Sequence, residues 1–329
     1  MKQPFLMINI KVFRLFCCLL LPVSIVQAQK IQIFNNTNSK LPDADLWDVA
    51  IDHHDNVWIG TAKSGLLKYN DGTFTIFDKN NSPVDGRYIS NIYIDHKDNV
   101  WVSLSGETAR LVKFDGTEWT VYSAKDYPAL SNNITKECED RDGKTYFGTA
   151  NGVIIFDGKT WSRLPLPGEP THFYNVLAID IDKTARIAVG FDTGLLLYNG
   201  QNWKSLNEDN SELQLGTVRA LKFMDSGALY IGYGGGFGKG GFSVLKDGKW
   251  KHFNKYNSKT PDQMVRDIKV SKDGVIWMAT NDGVLKIKGE DFMPFKFWPG
   301  KYHNTIMGIA IESDSTVWIA TPYGLVKFN

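Results

Sequence analysis

Two arginine residues occupy matching places in the chain, each directly after a valine and each at the start of an apolar run. They are Arg219, in Val218-Arg219, and Arg266, in Val265-Arg266. A guanidinium group presents its N–H donors as a fork that fits a carboxylate or a sulfate in a bidentate way. If the fold brings them together, the two arginines would bind an acidic ligand.

Aromatic and imidazole side chains stand at corresponding places near the start of other apolar runs. Aromatic faces suit sugar rings, and histidine or tyrosine can transfer protons. The candidate ligand-binding residues are Trp47, Arg87, Tyr88, His172, Tyr174, Arg219, Arg266 and His303. The structural alternative is that the arginines pair with acidic neighbours such as Asp267 and that Trp47 packs between repeated units.

The elements that must position these residues are copies of one sequence unit, of which Asp52–Phe77 is the clearest example. It consists of four short apolar runs joined by tight turns such as Asp55-Asn56 and Asp71-Gly72. Aspartate, asparagine and glycine tolerate the positive φ angles that two-residue β-hairpins need. The unit therefore predicts four short antiparallel strands.

Seven copies of this unit follow one another along the chain. They are counted on the residue in the middle of the second run, at steps of 41 to 47 residues: Trp58, Trp101, Tyr146, Ala188, Tyr230, Trp277 and Trp318. A period of about 40–45 residues with four strands per copy is typical of a β-propeller. The pattern predicts an all-β fold, a single seven-bladed β-propeller of four-stranded blades.

The two ends of the repeat region predict how the ring closes. The last copy ends after its third run, at Leu325–Phe328, whereas Lys30–Phe34 is similar to fourth runs such as Trp119–Tyr122. We expect the N-terminal strand to complete the last blade and so to remove an exposed sheet edge. An open array of repeats is the alternative.

The first 28 residues are of a different kind. Lys2, Lys11 and Arg14 precede the apolar run Leu15–Val26, and Val26-Gln27-Ala28 offers small or short residues at the usual cleavage positions. This pattern predicts a secretory signal peptide over residues 1–28, cleaved near Ala28, and a propeller domain over residues 29–329. We expect an exported protein, periplasmic or secreted, without a stable membrane anchor. A retained anchor is the alternative, although the run is short for a spanning helix.

Charge and cysteine content narrow the function classes. Cleavage removes three basic residues and no acidic one, which takes the formal charge from +1 to −2. A near-neutral chain has no overall electrostatic attraction to nucleic acid. Cys138 is the one cysteine left, so internal disulfides are excluded and Cys138 is expected in the core. No metal-ligand spacing and no cofactor motif appears, and we expect neither.

A glycine-rich segment, Gly232–Gly241, is similar to a phosphate-binding loop at first sight. It lacks a serine or threonine after Lys239, and no helical pattern follows it, so the phosphate-loop mechanism is not supported. We expect a flexible loop between the second and third strands of the fifth blade. It would act as a lid over the ligand site, with Gly234, Phe237 and Lys239 as the candidate residues.

The repeat resembles a known family. The pattern D-x-x-G/N-x-x-W-I-G-T-x-x-G-L-x-x-Y/F, as found in Asp52–Tyr69, Asp95–Phe114 and Asp140–Phe156, resembles the two-component regulator propeller repeat, and the resemblance extends over residues 31–329. It implies a periplasmic ligand-binding propeller of the sensor type, in a family in which many members respond to glycans. The chain would be a stand-alone form without a kinase.

Two functions remain open. The first is an exported propeller that binds a small molecule, an oligosaccharide or another exported protein at the mouth of the channel where the long inter-blade loops gather. The second is a propeller-type polysaccharide lyase, with a histidine or tyrosine base and arginines that neutralise a substrate carboxylate. We favour binding over catalysis, and a purely structural or cell-surface scaffold is a further alternative. No serine–histidine–acid or cysteine–histidine arrangement can be assembled from the sequence. The oligomeric state is not predicted.

Overall fold

The computed structural model describes residues 30–85, 88–105, 110–124, 130, 133–168, 174–214, 217–235, 240–262, 264–299 and 304–329. The described residues form 28 strands in seven four-stranded antiparallel sheets, without a helix among them. This arrangement is an all-β, seven-bladed propeller and confirms the predicted fold. The predicted signal peptide lies outside the described residues. No described segment forms a helix of the length and apolarity that crossing a bilayer requires.

The strands fall into four sets according to their place in each blade. The innermost strands are β2 (Leu46–Ile51), β6 (Ile89–Ile94), β10 (Ile134–Glu139), β14 (Val176–Ile181), β18 (Val218–Phe223), β22 (Val265–Val270) and β26 (Gly308–Ile311). The second strands are β3 (Val57–Thr61), β7 (Val100–Leu104), β11 (Thr145–Thr149), β15 (Ile187–Phe191), β19 (Leu229–Tyr233), β23 (Ile276–Thr280) and β27 (Val317–Thr321).

The third strands are β4 (Leu66–Asn70), β8 (Arg110–Phe114), β12 (Gly152–Phe156), β16 (Gly194–Tyr198), β20 (Phe242–Lys246), β24 (Gly283–Lys288) and β28 (Gly324–Phe328). The outermost strands are β5 (Thr73–Phe77), β9 (Trp119–Ser123), β13 (Trp161–Arg163), β17 (Trp203–Leu206), β21 (Lys249–Phe253), β25 (Asp291–Phe295) and β1 (Ile31–Phe34).

The ring closes through β1. This strand pairs antiparallel with β28, from Ile31 opposite Phe328 to Phe34 opposite Leu325, and completes the sheet β1-β28-β27-β26. The innermost strands contact one another all around the ring, including β26 with β2. The seventh blade therefore combines the first and the last strand of the described chain, as the sequence predicted.

An aspartate at the end of the innermost strand locks each of the first two blades. Asp52 accepts hydrogen bonds from the backbone N–H of Asn56 at 2.9 Å and from the indole N–H of Trp58 at 2.9 Å. Asp95 accepts the same bond from Trp101, also at 2.9 Å. One carboxylate thus fixes both the hairpin turn and the tryptophan of the next strand.

The tryptophans fill the space between blades. Trp58 is buried, stacks on Phe77 of its own blade, and meets Phe114 of the next blade edge-on with ring centroids 6.2 Å apart. Such aromatic pairs add to the free energy gained by burying their area. Cys138, a free thiol, is also buried in an inter-blade cluster, as expected. Core packing between blades therefore holds the ring together.

We predict that Phe34→Ala lowers the free energy of unfolding by about 3–5 kcal/mol, the usual cost of truncating a buried phenylalanine. Phe34, on the closing strand, is 8% exposed and packs on Trp318 of the seventh blade and on Tyr69 of the first. Ile76→Ala is the control, because Ile76 lies on an outermost strand and is 38% exposed. Urea unfolding measures both, and equal losses would contradict a stabilising role for the closing strand.

Candidate functional site

β-Bulges decide which side chains reach the central channel. In β2, β6, β10, β14, β18 and β22 the register with the second strand shifts between the first and the third residue. Regular alternation would send neighbouring side chains to opposite faces, whereas a bulge sets two residues against one and re-aims a side chain. Consequently both Arg266 and Asp267 of β22 line one cavity, as do Trp47 and Asp48 of β2.

This cavity, called the mouth cavity below, lies on the propeller axis and has a volume of about 240 Å³. Each of the seven blades contributes at least one residue to its wall. Four residues of the predicted set line it together: Trp47, Tyr88, Arg219 and Arg266. The fold thus brings the two arginines and two of the aromatic residues to one place.

The aromatic side of the mouth cavity belongs to the first two blades. The rings of Trp47 and Tyr88 lie 4.9 Å apart between centroids at an angle of 40°. Tyr88 is 38% exposed, while the indole N–H of Trp47 is buried without a hydrogen-bond acceptor among the described residues. Trp47 therefore packs across a blade boundary, as the structural alternative expected, and still borders the cavity.

The basic side belongs to the fifth and sixth blades. The Arg266 Nε–H donates to Asn281 Oδ1 at 2.7 Å, and the buried Nε–H of Arg219 has no acceptor among the described residues. Burial, and then the positive charge of Arg219 nearby, lowers the pKa of Arg266, while Asp262 opposes this effect. Within the described ranges neither arginine forms an ion pair with a carboxylate. Both guanidinium groups line the cavity without a direct ion pair to a described carboxylate.

Asp267, which the structural alternative assigned to the arginines, pairs with lysines instead. Its Oδ1 accepts from Lys136 Nζ at 2.7 Å and from the Ile268 backbone N–H at 3.0 Å, and Lys269 Nζ lies 3.5 Å from Oδ2. Burial opposes the ionised form, but Lys136 and Lys269 outweigh it and hold the pKa of Asp267 well below its usual range. Asp267 is therefore a carboxylate at neutral pH.

The Lys136–Asp267 ion pair, called the crossbar below, joins the third blade to the sixth, on opposite sides of the ring. A second cavity of about 270 Å³ lies along the same channel and shares Asp48, Asn91, Lys136 and Asp267 with the mouth cavity. Those shared side chains stand between the two cavities. The crossbar is therefore the floor of the mouth cavity.

Two further acids in the channel have raised pKa values. Burial raises the pKa of Asp48 to about 6, although Lys136 opposes this, and Asp48 accepts the Ile92 backbone N–H at 2.8 Å. Burial also raises the pKa of Glu137 to about 8, against the effect of Lys136. Glu137 is therefore mostly protonated at neutral pH.

Glu137 was missed by sequence reasoning, although the aligned repeats carried a signal. The corresponding position of the other six innermost strands is buried and apolar in every case: Val49, Ile92, Ile179, Leu221, Ile268 and Ile309. A carboxyl group at a position that is apolar in the other six copies departs from the repeat. Packing does not require a carboxyl group there, because burying one is costly.

Tyr174 does not reach the channel, contrary to the expectation for this residue. It is buried in the core between the third and fourth blades, packs edge-on against Phe191, and donates its hydroxyl to the Pro167 carbonyl at 2.7 Å. Its ring is part of this inter-blade core, and its hydroxyl is satisfied there. Arg87, His172 and His303 lie outside the described residues.

The candidate lid begins beside the site. The Gly234 N–H donates to the Thr217 carbonyl at 3.0 Å, and a Cβ at Gly234 would lie 3.5 Å from Arg219 Nε. Phe237 and Lys239 lie outside the described residues, so the lid stays a prediction.

A serine–histidine–glutamate row exists in the fifth blade, although none was expected from the sequence. Ser243 Oγ lies 2.8 Å from His252 Nδ1, and His252 Nε2 lies 3.6 Å from Glu212 Oε2. However, Ser243 is fully buried and its hydroxyl also bonds Tyr233 at 2.7 Å. A nucleophile must be accessible to its substrate, so this row is part of the core and not a catalytic triad.

Comparison with known proteins supports the fold. No family model and no curated protein matches the chain. Among solved structures, a streptogramin B lyase is similar with a TM-score of 0.72 at 14% identity, over 92% of this chain and 97% of that one. The extracellular domain of the putative hybrid two component system BT3049 from B. thetaiotaomicron gives 0.71 at 16% identity, over 91% of this chain and 41% of that one. The shared feature is the propeller fold.

A third neighbour is a catalytically inactive virginiamycin B lyase from Staphylococcus aureus with quinupristin, at a TM-score of 0.70 and 14% identity, over 92% of this chain and 99% of that one. At such low sequence identities the similarity shows a shared fold, but it does not assign a role to any residue. The two histidines that the lyase hypothesis needs, His172 and His303, lie outside the described residues. That hypothesis therefore stays a prediction.

We predict that Lys136→Met lowers the free energy of unfolding by roughly 3–5 kcal/mol, because it removes the closest partner of the buried Asp267 carboxylate and leaves only the longer contact to Lys269. The double variant Lys136→Met/Asp267→Asn should recover most of the loss, since the buried carboxylate is gone and the Lys269 side chain that remains is 43% exposed. Asp225→Asn is the control, because the Lys183–Asp225 pair is 77% and 84% exposed and should contribute under about 1 kcal/mol. A loss for Lys136→Met no larger than the control's would contradict a buried crossbar.

We predict that Glu137→Gln becomes more stable relative to the parent protein as the pH rises from about 4.5 to about 8. The fold raises the pKa of Glu137, so the unfolded chain binds fewer protons than the folded chain in this window, and the parent loses stability with rising pH. The difference should grow by about 1.4 kcal/mol for each unit crossed. Glu290→Gln, at an exposed turn, is the control. A difference that stays constant with pH would show that Glu137 is not protonated in the fold.

Proposed function

We propose that this protein is an exported binding propeller that takes an acidic oligosaccharide in its mouth cavity. One observation carries the proposal: Arg219 and Arg266 line the same cavity as Trp47 and Tyr88, and neither arginine has a carboxylate partner in the described part of the chain. An acidic group supplies the missing partner, and the aromatic residues supply a surface for a ring.

Arg219 and Arg266 carry like charges in the wall of one cavity. Burial, and then the positive charge of Arg219, lowers the pKa of Arg266, so the two guanidinium groups repel each other in the free protein. A bound carboxylate or sulfate would offset that repulsion and accept charge-assisted hydrogen bonds, which are about twice as strong as neutral ones. In the low-dielectric channel such bonds are stronger than at an open surface.

The size and shape of the cavity favour a small cyclic group. Its volume of about 240 Å³ is below the roughly 300–1,000 Å³ of pockets for drug-sized ligands. Tryptophan and tyrosine present a large apolar face with a polar edge, which suits one side of a sugar ring. A ring with one acidic substituent uses both sides of the cavity.

The proposal includes export from the cell, an acidic-glycan ligand and no nucleic-acid partner. The N-terminal basic and apolar pattern supports export, and the near-neutral charge argues against a nucleic-acid partner. A propeller of similar fold is found in the extracellular domain of a putative hybrid two-component system, which supports a place outside the cell for this architecture. Another exported protein as partner stays a second possibility within the same class.

Binding is favoured over the lyase alternative by the composition of the cavity wall. Among the bases named for the lyase alternative, Tyr174 is committed to the core, and no histidine is among the described residues that line the cavity; Tyr88, which does line it, packs on Trp47. A base must lie within hydrogen-bond reach of the proton that it removes.

The proposal predicts that the purified protein binds carboxylated or sulfated oligosaccharides in preference to neutral ones. In isothermal titration with galacturonate, sulfated galactose and neutral glucose oligosaccharides, Arg219→Met and Arg266→Met should each raise Kd by tenfold or more. A hydrogen bond to a charged group contributes about 1.5–3 kcal/mol, and 1.4 kcal/mol is tenfold.

Lys251→Met is the matched control, because Lys251 is an exposed basic residue on β21, away from the channel. It removes the same charge and should leave Kd unchanged. Equal effects of all three substitutions would indicate a general charge effect, and no binding of any acidic member would overturn the proposed function.

A further inference from the structure

We infer that the mouth cavity accepts only the end of an acidic chain, and not an internal segment of a polymer. This inference rests on the proposed function and specifies which part of the ligand enters. Its basis is the crossbar, which closes the channel directly below the arginines and aromatic residues.

The crossbar spans the channel from wall to wall. Lys136 lies on β10 in the third blade and Asp267 on β22 in the sixth, 131 residues apart in the chain, yet Nζ and Oδ1 are 2.7 Å apart. Their side chains are 25% and 10% exposed, and Asp267 is held further by the Ile268 N–H and by Lys269. Charge-assisted bonds in this setting are short and strong. A ligand chain cannot pass through without breaking them.

The side chain of Asp48 supplies the remaining part of the floor. Asp48 lies beside Gly308 of the seventh blade, where an added Cβ would come within 2.3 Å of Asp48 Oδ1. On its other side the Asp48 carboxylate accepts the Ile92 N–H of the second blade. Asp48 thus fills the space between the seventh and second blades at the same depth as the crossbar.

The acid-binding groups lie inside the channel and not on its rim. Arg219 and Arg266 are the second residues of β18 and β22, and both are half-buried. An acidic group therefore has to enter the channel to reach them. Since the floor is closed and the innermost strands are continuous around the ring, whatever enters has to leave through the same opening.

An internal segment would have to enter and leave as a hairpin, and a cavity of about 240 Å³ has no room for two strands of a glycan. A chain end needs room for only one strand. The terminal acidic residue would place its charge between the fifth and sixth blades and its ring against Trp47 and Tyr88 in the first and second. The ligand therefore needs a free acidic end, and a reaction that cleaves an acidic polysaccharide generates such ends.

The test measures how many protein molecules bind one chain as the chain grows. Galacturonate and sulfated galactose oligosaccharides of two to eight units, and the corresponding polymers, are titrated by calorimetry and by sedimentation velocity. For the series that binds, we expect one protein per available chain end at every length, and a Kd per chain that changes less than threefold from four units to eight. The double variant Arg219→Met/Arg266→Met should lose binding at every length.

The outcomes separate this inference from the proposed function. A number of bound proteins that rises with chain length, or unchanged binding in the double arginine variant, would overturn end recognition. In the first case the proposed acidic-glycan function survives, because binding still occurs. The absence of binding by every acidic oligosaccharide would overturn both.

Discussion

The hydrogen bonds between β1 and β28 join the first and last strands of the described chain into one sheet, and the geometry of the channel depends on them. Closure turns a linear array of blades into a ring in which the innermost strands face a common axis. Only in a closed ring do Lys136 and Asp267, three blades apart, come within hydrogen-bond distance. The same closure gathers the second residues of six innermost strands, together with Met307 directly before β26, into one cavity.

The channel contains charges that form an ion pair with each other and charges that do not. The crossbar charges compensate each other and are expensive to separate, since an unpaired buried charge is costly. Arg219 and Arg266 have no directly bonded carboxylate in the described part of the chain, although Asp262 acts on Arg266. Charged groups that lie in a cavity without a directly bonded partner are common at functional sites. The charges at the floor of the mouth cavity are therefore paired, whereas the arginines in its wall have no directly bonded acidic partner among the described residues.

The sequence was sufficient to predict the blades and the closure, because turns and strand periodicity are local signals repeated seven times. The sequence also predicted that Trp47, Tyr88, Arg219 and Arg266 lie near one mouth of the channel, and all four line the mouth cavity. It did not predict the crossbar, since no local pattern relates residues 131 positions apart. The bulges were missed because they depend on pairing between strands. Tyr174 was misplaced because its short distance from β14 did not reveal the core space that it fills.

The most direct test of the account is a crystal structure of the protein with a bound acidic tetrasaccharide. We predict that the terminal acidic group lies within hydrogen-bond distance of both Arg219 and Arg266, that its ring contacts Trp47 and Tyr88, and that the Lys136–Asp267 pair stays intact below it. A ligand bound on the outer surface of the blades, or one that displaces Lys136 from Asp267 and passes through the channel, would contradict the account.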